Sequence, residues 1–227
     1  MAAPALPRFL YLHGFASSPE SRKARVFERF FEERGASVDR LDLRKPSMEE
    51  LRISAMMAHV RARIGGDEGR AVLVGSSLGG LTAARVAARD SRVCALFLLA
   101  PAFRIAARWK ARLGEAAYRA WEETGGIEVD DHATGGKSRV HFPFVEELVA
   151  LDAEDDGLPD VRVPTFIVAG RRDDVVDNDA TRAFAAGRPH VQLHWVDDGH
   201  ELGATLPEIE AHCDGFLRPF FAGAATG

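Results

Sequence analysis

At 227 residues, 46% of them hydrophobic, the chain is long enough for one domain with a substantial core and an insertion. A formal net charge of −5 with no dense Lys/Arg cluster excludes the electrostatic footprint of a nucleic-acid binder. No apolar stretch is long enough to cross a bilayer, so no membrane partner is expected.

The first apolar run, RFLYLH (Arg8–His13), has no basic region before it. It reads as a strand, not a secretion signal, and implies a cytoplasmic protein. In the segment that follows, Val26, Phe27, Phe30 and Phe31 recur at helical spacing. Ser18 and Pro19 are the expected cap and first helical position, and Gly35 the stop. Strand SVDRLDL (37–43), helix MEELRISAMMAHVRARIGG (48–66) and strand AVLVG (71–75) come next, and then a helix from about Ser77. Strands VCALFLLA (93–100), TFIVAG (165–170) and VQLHWV (191–196) precede a final helix from about Leu206. Continuously apolar strands alternating with helices predict an open, mostly parallel α/β sheet of about six strands, covered by helices on both faces.

Residues 103–158 break this alternation. Ile105, Trp109, Leu113, Ala117 and Trp121 mark the face of one helix that Gly125 and Gly126 end. Residues 127–142 alternate polar and apolar about Gly135–Gly136, as a hairpin does. A helix and a hairpin would form a cap over the sheet edge. Trp109, Tyr118, Trp121, Phe142 and Phe144 are its candidate apolar wall, enclosing limited volume and so favouring short to medium acyl chains.

Chemistry enters at GSSLGG, Gly75–Gly80. A strand running into a sharp turn and then a helix is the setting of a nucleophile elbow, which needs small residues two before and two after the serine. Ser77 has Gly75 and Gly79 there, whereas Ser76 would have Val74 and Leu78, so Ser77 is the nucleophile candidate. A serine hydroxyl needs a base and an acid, and the order Ser, Asp, His places them after later strands. Asp173 and Asp174 follow the 165–170 strand, and His200 follows the next. Backbone amides of Leu78 and of Phe15, in LHGF, are the candidate oxyanion donors, with His13 bracing that loop.

YLHGFASSPESRKA with VGSSLGG resembles the α/β-hydrolases, and among them compact bacterial esterases of the YqiA type. That resemblance implies the same fold and an acid loop reading Gly-x-x-Asp-x-Val-Val, which Gly170, Asp173, Val175 and Val176 fit, favouring Asp173 over Asp174. It implies a histidine behind a Gly-rich turn, as His200 follows Gly199. It also implies a sheet lacking the two leading strands of larger members. The likeness runs through the sheet elements and is not seen across the cap.

The expected activity is hydrolysis of small-molecule carboxylic esters by Ser77, His200 and Asp173, with no cofactor and no metal. A thioesterase and a C–C bond hydrolase would use the same residues, and a binding protein would normally have lost one of them. Cys94 and Cys213 lack the spacing of a zinc site or redox pair. They read as small hydrophobes in a reducing compartment. A homodimer is compatible with the sequence.

Overall fold

The computed structural model describes residues 6–221. In chain order the elements are β1 (Arg8–Leu12), α1 (Arg22–Glu32), β2 (Val38–Leu41), α2 (Ile53–Ile64), β3 (Ala71–Ser76), α3 (Leu78–Ala87) and β4 (Val93–Leu99). An inserted segment follows: α4 (Ile105–Leu113), α5 (Glu115–Thr124), β5 (Gly126–Asp131), β6 (Gly136–His141) and α6 (Pro143–Asp155). The chain then returns through β7 (Thr165–Gly170), α7 (Asn178–Ala185), β8 (Val191–Val196) and α8 (Leu206–Leu217).

Six strands form one parallel sheet in the order β2-β1-β3-β4-β7-β8. Every residue of β3 and β7 is buried, which explains their unbroken apolar runs. Edge strand β8 keeps polar and half-exposed positions. Because all six strands are parallel, the loops after β1, β3, β7 and β8 open on one edge, where open sheets of this kind carry their sites.

Helix α1 begins three residues later than the sequence suggests. Ser18 closes a turn in which Ser21 N–H donates to its carbonyl, and Ser21 is the cap, its hydroxyl accepting from Ala24 at 3.3 Å. Phe27, Phe30 and Phe31 are buried as expected, with Ala24 in place of Val26 on the inner face. Helix α2 begins at Ile53, not Met48. The reason is non-local: the Glu147 carboxylate, from α6, accepts from the Ser54 amide and hydroxyl at 3.0 and 2.7 Å.

The insertion differs most. Its expected single helix is two, broken at Gly114 with φ 77° and ψ 157°. The expected hairpin forms, with β5 antiparallel to β6. A third helix, α6, was not anticipated; it buries Phe144, Val145 and Leu148. Buried Arg85 of α3 anchors it, donating to Asp155 at 2.9 Å and Asp152 at 3.1 Å. The hairpin is held by buried Asp131, which accepts from Arg44 and from Ser138, each at 2.6 Å. Cys94 and Cys213 are free thiols, and among the described residues no helix is long and apolar enough to cross a membrane.

Candidate active site

The turn from β3 into α3 holds Ser77 at φ 54° and ψ −118°, a conformation costly for a residue with a side chain. The glycines around it explain how the turn fits. A Cβ on Gly79 would sit 2.2 Å from the Leu12 carbonyl oxygen, and one on Gly75 would sit 2.6 Å from that of Gly79. Both serines border a cavity, but Ser76 ends β3 as a buried residue while Ser77 is partly exposed.

Strand ends deliver two further side chains to Ser77. His200 Nε2 lies 3.0 Å from Ser77 Oγ, and His200 Nδ1 lies 2.8 Å from Asp173 Oδ2. These contacts assign the imidazole its tautomer: Nδ1–H donates to the carboxylate and Nε2 accepts from the serine hydroxyl. The other Asp173 oxygen accepts from the amides of Val175 and Val176 at 2.9 and 3.0 Å. Burial pushes the Asp173 carboxyl up, but the His200 contact and these amides outweigh it and hold it below the ordinary carboxylate value. Asp174 is exposed, and its backbone carbonyl accepts from Arg108 at 2.7 Å.

The loop carrying His200 is fixed by Asp198, which accepts from the amides of Gly199, Ala204 and Thr205 and from the Thr205 hydroxyl, at 2.8 to 3.1 Å. Sequence reasoning missed Asp198, whose only signal is an aspartate at the start of a Gly-containing turn.

On the other side of Ser77, Gly14 packs so closely that its Cβ would meet Ser77 Cβ at 3.2 Å. Among the described residues, neither the Phe15 nor the Leu78 amide donates to a protein acceptor. Leu78 is the first residue of α3, so its N–H also carries the positive end of the helix dipole. Buried His13 braces the loop: its Nδ1 donates to the Gly14 carbonyl at 2.8 Å, and its Nε2 accepts from the Leu43 amide at 3.1 Å.

A cavity of about 1050 Å³ runs from Ser77 and His200 under the cap. Phe15, Trp109, Trp121 and Phe144 line it, the Phe15 ring lying 4.9 Å from Trp109 and 5.8 Å from Phe144. Phe142 does not line it. That ring packs edge-on against Trp121 and Tyr118 behind the wall, at 5.7 and 5.5 Å, because the first turn of α6 directs it away. Lys23, His132 and Glu201 also reach the cavity, Lys23 pairing with Glu201 at 3.1 Å. None of the three stood out in the sequence, because each is an ordinary surface residue type in a helix or turn.

A model of the family described as "Uncharacterised protein family (UPF0227)" matches residues 8–215. The chain belongs to this family. The match runs from β1 into α8, so family likeness extends through the cap, where the sequence alone revealed none. No curated protein matches this UPF0227 chain. Among solved structures it is similar to mouse alpha/beta hydrolase domain-containing protein 10, at 21% identity and TM-score 0.75, over 96% of this chain and 92% of that one. Est1E from Butyrivibrio proteoclasticus has 22% identity and TM-score 0.74, over 96% and 89%, and is also known with ferulic acid bound. The Pyrococcus furiosus esterase Pf2001 has 20% identity and TM-score 0.64, over 94% and 80%. The UPF0227 chain has the α/β-hydrolase fold, with a sheet of six parallel strands among the described residues.

Proposed function

We propose that this protein is a serine hydrolase that cleaves carboxylic esters of short to medium acyl chains through an acyl-enzyme. The observation that carries the reading is the chain of hydrogen bonds from Ser77 through His200 to Asp173, at 3.0 and 2.8 Å, on a strained serine facing the cavity. Ser77 Oγ attacks the acyl carbon as its proton passes to His200 Nε2, and the carbonyl electron pair moves onto oxygen. The Phe15 and Leu78 amides receive that oxyanion, a donor of this kind being worth about 3 kcal/mol in the transition state. Collapse expels the alcohol, which takes the proton from Nε2. Water then attacks the acyl-enzyme with its proton going to the same nitrogen, and collapse breaks the bond to Ser77 Oγ, which takes that proton back as the acid leaves. Asp173 holds the imidazole in the correct tautomer and stabilises the imidazolium.

The acyl group lies against Phe15, Trp109 and Phe144. The ferulic acid bound to Est1E makes an aromatic acid a useful member of the substrate series. The test is labelling with a fluorophosphonate, followed by rates over matched oxygen and sulfur esters. Label on Ser77 with turnover of oxygen esters is expected. Absence of label overturns the reading, and faster turnover of the sulfur series at every chain length makes the protein a thioesterase.

A further inference from the structure

Outside the cavity, β8 and α8 bring together three side chains that ester hydrolysis does not use. His194 comes from the middle of β8, the edge strand, Glu208 from the first turn of α8, and His212 from one turn later. His194 Nε2 lies 2.8 Å from Glu208 Oε1, and His212 Nε2 lies 4.0 Å from the same oxygen. One ligand atom from each of the three falls within 4.8 Å of the others. The two imidazole centroids are 4.0 Å apart, and the His212 ring is backed by Phe166 of β7 at 5.3 Å. The side chains of His194 and His212 are each 34% exposed and that of Glu208 49%, so an ion has a path from solvent.

We propose that His194, Glu208 and His212 form a divalent transition-metal site of the zinc class, clipping strand β8 to helix α8. Two imidazole nitrogens and one carboxylate oxygen suit zinc and its neighbours in the first row, and not magnesium or calcium, which take oxygen ligands. Neighbouring ligands around tetrahedral zinc are about 3.3 Å apart, given bonds of roughly 2.0–2.2 Å. The 2.8 and 4.0 Å separations bracket that value, and with all three ligand atoms within 4.8 Å of one another, rotation of the partly exposed side chains would bring them to it. The spacing Glu208-x-x-x-His212 sets two ligands on one helix face, and a strand supplies the third, so the site needs no loop to be ordered. A fourth position is left open to water. The clip has a consequence for the site: residues 197–205, between the two clipped elements, carry His200 and its anchor Asp198. In sequence the set is hard to see because His194 stands fourteen residues before Glu208.

Calorimetric titration of the chelator-stripped full chain with zinc chloride tests this independently of catalysis. One equivalent is expected to bind, raising the thermal midpoint, since an ion that binds only the folded state stabilises it. Cobalt(II) should give visible absorption characteristic of low coordination number. His194→Ala and His212→Ala should each weaken binding at least tenfold, and together abolish it, while His190→Ala leaves it unchanged. Glu208→Gln, which keeps the side-chain shape, serves if a histidine variant fails to fold and should also weaken binding. No binding by the wild type, or one equivalent retained in the folded double variant, overturns the proposal. Its failure leaves the Ser77 label and ester turnover untouched, so the two readings are separable.

Discussion

The Ser77 edge of the sheet and the cap above it are built by different rules. At the sheet edge, backbone constraints decide everything: a positive φ at Ser77, carbonyls 2.2 and 2.5 Å from where a Gly79 Cβ would be, and strand ends that aim Asp173 and His200. In the cap, side chains pack mainly on one another, and two buried polar anchors, Arg85 and Asp131, tie it to the body. Under the proposed function, chemistry would sit on the part with the least backbone freedom and selectivity on the part with more.

The largest effect expected from breaking this division is at Ser77. Ser77→Ala should remove turnover down to background and abolish fluorophosphonate labelling while the thermal midpoint barely moves. Ser76→Ala, one residue away inside β3, should keep much of the rate. Equal losses in the two variants would mean that the elbow does not select between the hydroxyls.

Asp173→Asn comes next, with kcat reduced roughly 10³–10⁴-fold because the imidazole loses its orienting charge and its tautomer. Asp174→Asn should change it less than about threefold, a contrast that steady-state kinetics on one ester settles. The Asp173 carboxyl sits below its ordinary value in the fold, so it contributes stability that is present above the unfolded value of about 3.9. That contribution is lost as pH falls through the lower folded value. Acid unfolding of Asp173→Asn should therefore lose part of the pH dependence below about pH 4, and an unchanged profile would contradict the assigned direction.

These sheet-edge residues were readable in the sequence because their requirements are local. Two glycines at fixed offsets identify Ser77 over Ser76, and a strand end followed by Asp or His needs only the strand to be recognised. The acid was narrower: the residues alone left Asp173 and Asp174 open, and resemblance favoured the first, which the structure places against His200. The cap was half legible. Its hairpin follows from alternation about Gly135–Gly136. The break at Gly114 is local, a glycine at positive φ, whereas the start of α2 at Ile53 and helix α6 depend on contacts far apart in the chain, such as Glu147 on Ser54 and Arg85 on Asp152 and Asp155. No window of sequence contains both partners.

Arg85 joins the two regions, so it offers the next test. Its guanidinium is buried, and burial pushes the carboxyl of Asp152 above its ordinary value even with Arg85 beside it. Arg85→Ala leaves both carboxylates without their cation and should destabilise the protein by about 3 kcal/mol, read by chemical denaturation. Arg85→Met, combined with Asp152→Leu and Asp155→Leu, should recover a good part of that loss, as replacement of buried ion pairs by apolar groups often does. Failure of the triple variant to exceed Arg85→Ala in stability would show that the three charges do more than satisfy burial.

The smallest expected effect is also the one that separates wall from scaffold within the cap. Trp109, partly buried, and Phe142, buried, are both aromatic, and sequence treats them alike as pocket candidates. Only Trp109 borders the cavity, in edge contact with Phe15, whose amide is the proposed oxyanion donor. Trp109→Ala should therefore lower kcat/KM for butyrate or hexanoate esters about tenfold while leaving acetate esters nearly unchanged, since a few lost methylene contacts are worth about 1–3 kcal/mol. Phe142→Ala should leave that acyl profile intact and instead cost about 3 kcal/mol of stability, because it opens a hole behind Trp121. The check is one chain-length series and one denaturation curve for each variant. Matching acyl profiles for the two would mean that the cap selects substrate by its overall shape, with no single side chain setting the length.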